Sequence, residues 1–179
     1  MKQTSTASLS AMTRAAVVAA LYVALTVTPP LSALAFGAVQ VRISEALCIL
    51  PRLFPETAAG VILGCLFANF FSPNVLPLDI LLGTSATALG ICGTLFLRRV
   101  PSKFTPFLAP LPTVMANALI VPLIFYFATP NAGFSAIYFP AALSVGAGEI
   151  IALYAPGLSL YFLMKRYSKK ALSDKEDNA

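Results

Sequence analysis

Glu149 lies in the otherwise almost wholly apolar run 138–164, with nothing nearby in sequence to neutralise it. An ionisable side chain at membrane depth costs on the order of 2.5 to 3.5 kcal/mol on insertion scales, so it persists where it faces a partner or a cavity. Arg42, Glu45, Asn69, Asp79 and Asn117 interrupt or border other apolar stretches. Carboxylates and amides accept and donate in pairs. A buried carboxylate therefore gains most from a planar partner with two adjacent N–H groups, the edge that an aminopyrimidinone presents. A cation would also satisfy Glu149, although ion sites gather more oxygen ligands than one acid per level. By themselves, these residues specify a small polar or cationic solute.

The elements that must position these side chains are membrane spans. Of 179 residues, 58% are hydrophobic and 11% charged, too little polar surface to cover a soluble globule of this size. The expected fold is all-α and integral to the membrane, a compact bundle of six transmembrane helices. The apolar stretches run over about 12–28, 41–54, 57–71, 80–97, 104–128 and 139–164. They divide the chain into an N-terminal segment 1–11, a membrane domain 12–167 and a solvated tail 168–179. The second and third stretches fall short of the ~20 residues a straight span prefers, which predicts a compact hairpin or one leaning on longer helices. Arg98, Arg99 and Lys103 fill one loop, and Lys165, Arg166, Lys169, Lys170 and Lys175 crowd the C-terminus, whereas 72–78 and 129–138 carry no charge. The positive-inside rule then puts both termini in the cytoplasm and the uncharged loops outside. The net charge of +5 is an orientation signal and points to no nucleic-acid partner.

In that orientation Arg42 and Glu45 lie near the outer end of the second span, with Arg52 and Glu56 at the inner turn. Asn69 ends the third span on the outer side, Asp79 opens the fourth, Asn117 is midway along the fifth, and Glu149 is about two turns into the sixth. The set reads as a pocket open to the exterior. Each member also has a purely structural reading. Arg42 and Glu45, three residues apart, pair on a helix surface; Asp79 and Asn69 cap helices; Asn117 hydrogen-bonds between helices. Glu149 has Ala142, Val145, Gly146 and Ala152 as helical neighbours, a face nearly stripped of bulk that leaves space beside the carboxylate. Phe134, Tyr138 and Phe139, in the last outer loop, either close over an occupant or anchor at the interface.

Histidine is absent, and Cys48, Cys65 and Cys92 sit at wide spacing in apolar segments. They read as small buried hydrophobes, so neither a metal site nor a cofactor is expected. No Gly-rich phosphate loop ending in Gly-Lys-Ser/Thr occurs, and the length leaves no room for an ATPase domain, so ATP-driven work falls to partner chains. Lys2, Arg14, the apolar run 15–27 and Ala33-Leu34-Ala35 follow the pattern of a signal peptide with an Ala-x-Ala site. Against cleavage stands a stripe of Ala16, Ala20 and Ala24, flanked by Ala15 and Ala19, which lets another helix backbone come close. A similar ridge of Gly60, Gly64 and Ala68 suits internal packing.

The stretch Phe36-Gly37-Ala38-Val39-Gln40-Val41-Arg42-Ile43-Ser44-Glu45-Ala46-Leu47 continues to Leu50-Pro51. With Gly64-Cys65-Leu66-Phe67-Ala68-Asn69, the helix start at Asp79 to Gly83, the run Leu111-Pro112-Thr113-Val114-Met115-Ala116-Asn117-Ala118-Leu119-Ile120-Val121-Pro122, and Gly148-Glu149, it resembles the queuosine-precursor transporters. These are the substrate-binding (S) components of energy-coupling factor importers, and the resemblance covers about residues 12–166. It implies a transport subunit, not an enzyme, multi-pass in a bacterial plasma membrane. Its substrate would be a 7-deazaguanine base, either a pre-queuosine base or queuine, taken from outside. Its partners would be a transmembrane coupling protein and two cytoplasmic ATPases, with the Ala16, Ala20 and Ala24 face docking the coupling protein. Chemistry and position then assign Glu149 to the N1–H and exocyclic amine of the base and Asn117 to its oxygen or pyrrole edge. Glu45 or Asp79 would meet an aminomethyl cation, and Arg42, Asn69 and Tyr138 complete the candidate contacts. There is no tryptophan, so stacking falls to Phe or Tyr.

Three other readings stay open from sequence. An S-component for another vitamin-like molecule would look much the same. An autonomous secondary transporter would use the acids as a proton relay, but the chain gives no clear inverted repeat. A membrane-embedded enzyme would use Glu45 and Glu149 as acid and base, but a histidine and a nucleophile motif are missing.

Overall fold

The computed structural model describes residues 2–35, 40–71, 77–129, 131 and 133–176. The described residues form α1 (Lys2–Val27), α2 (Leu31–Ala35), a 3-10 helix (Ile43–Arg52) and α3 (Thr57–Phe70). A π-helical turn (Asp79–Gly83) leads into α4 (Thr84–Arg98), followed by α5 (Thr105–Leu108) and α6 (Leu111–Ala128). The last long helix is α7 (Phe134–Ala152), a second π turn (Leu153–Gly157) and α8 (Leu158–Glu176). The fold is helical and built for a membrane: Ser8–Val27, Asp79–Arg98, Thr105–Ala128 and Phe134–Lys170 are long and apolar enough to cross one.

Two of the expected six helices are short, as the sequence predicts for the second and third stretches. The 3-10 helix has 10 residues and α3 has 14. At ~2.0 and ~1.5 Å per residue each rises only about 20 Å, short of a ~30 Å hydrocarbon core. The 3-10 helix fills the middle of the bundle, while α3 packs on it with one face and leaves Leu63, Phe67 and Phe70 exposed on the other. Ser44 through Pro51 are all buried, and a 3-10 run this long is uncommon unless its surroundings hold it. Leu47, Cys48 and Leu50 from it meet Val18 and Tyr22 of α1 and Val61 and Cys65 of α3 in the central apolar cluster.

The final span begins earlier and ends later than 139–164. Phe134, Tyr138 and Phe139, expected in a loop, occupy the first turns of α7, and the tail expected to be a solvated end stays helical through Glu176. Pro156 lacks an N–H for the helical ladder, and the chain passes it in the π turn.

The two small-residue ridges have separate faces. A Cβ on Gly60 would fall 2.2 Å from the Ala15 carbonyl oxygen, and one on Gly64 would fall 2.7 Å from Tyr22 Cβ. The glycines thus let α1 and α3 pack backbone to backbone through Ala15, Ala19 and Tyr22. Ala16, Ala20 and Ala24 lie on the opposite, exposed side of α1. The Ala33-Leu34-Ala35 segment falls in α2, with Ala35 buried.

Charge sorts to one end of the bundle. Arg14 pairs with Glu56 at 2.6 Å, and Arg52 Nη1 donates to the Leu97 carbonyl at 3.1 Å, closing the end of α4 beside Arg98 and Arg99. Leu160 and Met164 of α8 share a lateral groove with Arg14 and Phe54, which brings the basic stretch of α8 to the same end. Arg42, Asn69 and Glu149 occupy the other half. Replacing Gly60 by Leu is expected to cost about 1–3 kcal/mol through overpacking, read as a lower melting temperature in detergent, while Ala20→Leu should melt with the parent. A Gly60→Leu protein as stable as the parent would contradict the α1–α3 contact.

Candidate functional site

The site depends on a close approach at Gly148. A Cβ there would sit 1.8 Å from the Gln40 carbonyl oxygen and 3.3 Å from Val41 Cα, so only glycine lets residues 40–42 lie on α7. That contact carries Arg42 to the level of Glu149, the next residue along α7. Arg42 Nη1 donates to Asn69 Oδ1 at 3.2 Å, and Asn69 Nδ2 in turn reaches Cys65 Sγ at 3.6 Å. The guanidinium is thereby braced from α3. Glu149 has Arg42 as its positive neighbour and Glu45 as a second negative charge.

Arg42, Asn117 and Glu149 enclose a throat of ≈ 10 Å³ with Gln40, Val121 and Val145, room for about one water. Gln40 and Val145 also line a wider vestibule of ≈ 340 Å³, whose other walls include Phe125, Thr129, Ile137, Pro140 and Ser144 of α6 and α7. The vestibule is within the ~300–1,000 Å³ range of small-molecule pockets, and the throat is far below it. Asn117 and Glu149 are 3% and 5% exposed, and Asn117 Nδ2 and Glu149 Oε2 have no hydrogen-bond partner among the described residues. An unpaired buried polar atom costs about 1–3 kcal/mol, and more when charged. Asn117 and Glu149 face each other across the same small space, close enough for the amide to act on the carboxylate, with Nδ2 and Oε2 both outside hydrogen-bond geometry.

The residues expected from sequence divide into two groups. Arg42, Asn117 and Glu149 come together at the throat, with Asn69 behind Arg42 rather than closing a helix end. Glu45 does not line either cavity. It is fully buried, not part of a surface pair, and both its oxygens are taken: Tyr22 Oη donates to Oε1, and Cys48 Sγ donates to Oε2 at 2.9 Å. It is a brace between α1 and the 3-10 helix. Asp79 is half-buried at the start of the first π turn and lines neither cavity. Tyr138 Oη donates to the Leu119 carbonyl at 2.9 Å, and its ring stacks on Phe134 at 4.8 Å. It ties α7 to α6 instead of covering the vestibule.

On its bare face Glu149 borders the narrow throat and not the vestibule. A Cβ on Gly146 would meet Ala118 Cβ at 3.4 Å, an ordinary contact, whereas the space at Gly148 is filled by the Gln40 backbone. Gly148 brings residues 40–42 in close, and the wider space is the vestibule. Gln40, which belongs to both cavities, was not singled out from sequence. Its one signal is the glycine beside Glu149, and nothing local says which backbone that glycine admits.

Residues 12–166 match the QueT transporter family. A stretch of 57 residues is 46% identical to the queuosine precursor transporter QueT of Lactococcus lactis subsp. cremoris (strain MG1363), covering 32% of this chain and 34% of that protein. The chain therefore spans about a third of the curated relative it matches. No solved structure matches it. Because the Glu149 carboxylate is buried with one oxygen unpaired and Glu45 nearby, Glu149→Gln is expected to stabilise the ligand-free protein by about 1–2 kcal/mol. Thermal unfolding reads this directly, and a lower melting temperature would mean that Arg42 already compensates the charge in full.

Proposed function

The chain belongs to the QueT transporter family, and from that premise we propose that it is the substrate-binding S-component of an energy-coupling factor importer in a bacterial plasma membrane. It captures a queuosine precursor, a 7-deazaguanine base, from outside. The observation that carries this reading is the pair of buried, unpartnered atoms at the throat, Asn117 Nδ2 and Glu149 Oε2. The pairing edge of a deazaguanine presents, in order, a carbonyl oxygen, an N1–H and an exocyclic amine. Its complement is one donor followed by a carboxylate, which Asn117 and Glu149 supply. An N–H···O⁻ bond to the free Glu149 Oε2 is charge-assisted and about twice as strong as a neutral one. The fused rings are too large for the throat and lie in the vestibule against Phe125, Ile137 and Pro140, with the edge pointing down past Gln40.

Sidedness follows from charge. With the basic end of the bundle in the cytoplasm, the vestibule opens outward and both termini lie inside. Energy comes from outside the chain: a transmembrane coupling protein and two cytoplasmic ATPases. The exposed stripe Ala16, Ala20 and Ala24 offers a close-packing seam for a partner helix. Val17 and Leu21 beside it line a lateral apolar groove of ≈ 310 Å³ together with Leu47, Leu50 and Leu160, which widens the apolar surface available to that helix.

Calorimetry of the purified protein against queuine, pre-queuosine bases, guanine and common vitamins is expected to select a deazaguanine, and Glu149→Gln to lose at least about tenfold in affinity. Selection of an unrelated vitamin would reassign the substrate, and unchanged affinity in the variant would remove Glu149 from the contact. In the full importer, Ala20→Leu is expected to bind normally and fail to transport, because bulk on the seam keeps the partner helix away. Normal transport by that variant would move the docking face elsewhere, and uptake by this chain alone would make it an autonomous transporter.

A further inference from the structure

α8 continues as a helix beyond the end of its apolar residues. Leu163, Arg166, Tyr167 and Lys170 recur at i, i+3, i+4 and i+7 and so share one face, where they line a hollow of ≈ 270 Å³. Along about 10 Å of helix that face passes from the apolar Leu163 to Arg166 and Tyr167, one turn on, and then to Lys170. Leu163 is 51% and Tyr167 62% exposed, and tyrosine belongs at the boundary between hydrocarbon and headgroups. The level is fixed by packing, since Leu160 and Met164 line the groove that also holds Arg14 and Phe54. The hollow therefore lies just beyond apolar depth at the charged end, far from the vestibule.

Three cations at this end have partners of their own. Arg14 is paired with Glu56, Arg52 with the Leu97 carbonyl, and Lys165 Nζ lies 5.8 Å from the Tyr161 ring centroid. Arg166 and Lys170 have no ionic partner among the described residues. We propose that this face is a binding site for an anionic phospholipid, with the headgroup phosphate held between Arg166 and Lys170, and an acyl chain running along Leu163. A guanidinium matches phosphate oxygens in a two-pronged contact, and the ammonium adds a second charge. The apolar residue one turn back selects a lipid over a free anion. The site is independent of what the vestibule binds.

The test uses the full chain in detergent and native mass spectrometry with phosphatidylglycerol and phosphatidylcholine of the same acyl chains. Phosphatidylglycerol is expected to bind preferentially, and Arg166→Gln with Lys170→Gln to weaken it about thirtyfold, the combined effect of two cations at a membrane surface, with phosphatidylcholine binding unaltered. Arg98→Gln with Arg99→Gln removes the same charge from a loop and is expected to change phosphatidylglycerol binding less than about twofold. Equal binding of the two lipids, no effect of the α8 variant, an equal loss in the loop variant, or displacement by millimolar inorganic phosphate would each overturn the proposal. Glutamine has nearly the helix propensity of arginine and lysine. If circular dichroism nonetheless shows lost helix, the exchange Arg166→Lys with Lys170→Arg must retain the lipid, and its failure to do so would also overturn the site.

Discussion

The constraint on which the rest of this structure depends is the burial of Glu149 with one oxygen left unsatisfied. A carboxylate withdrawn from water needs either a cation or full hydrogen bonding. The bundle supplies half of that. Residues 40–42 are drawn onto α7 at Gly148, which sets Arg42 beside the acid, and α3 holds Arg42 through Asn69. Glu45 shows what the complete solution looks like, with a tyrosine on one oxygen and a thiol on the other. Two glutamates in one bundle thus have opposite roles: one is closed and structural, the other remains open toward a cavity.

That difference has an architectural source. The 3-10 helix is too short to span and is buried throughout, so it serves as a core on which the longer helices and α3 pack. Glu45 lies on the buried 3-10 helix, surrounded by α1 and α3, where every direction offers protein. Glu149 lies on α7 below a vestibule whose walls include residues of both α6 and α7. Tyr138, bonded to the Leu119 carbonyl, and the stacked Phe134 hold the tops of α6 and α7 together. They join the two helices beside the vestibule without lining it.

The two ends of the molecule are chemically unlike. At one end, arginines and lysines meet carbonyls, an acid and rings, and α8 extends past them with two further cations. At the other, polar side chains turn inward. A proposed lipid contact at the basic end and a proposed solute site at the opposite end use the same asymmetry that orients the chain in a bilayer.

The amino-acid sequence alone determined the class, the positions of the apolar segments, their charge asymmetry and the membership of Glu149 and Asn117 in a polar set. These follow from composition and from the cost of charge in hydrocarbon, both of which are local. The family resemblance was legible for the same reason, as motifs at fixed spacing that match over residues 12–166. Tertiary structure decided what the small residues were for. Gly60 and Gly148 read alike in sequence, yet one receives the backbone of α1 and the other that of Gln40, and only the packed chain specifies the visitor. It also decided which acids were already satisfied. The partners of Glu45 include Tyr22, 23 residues away, and a hydrogen bond across that distance exists only once α1 has docked.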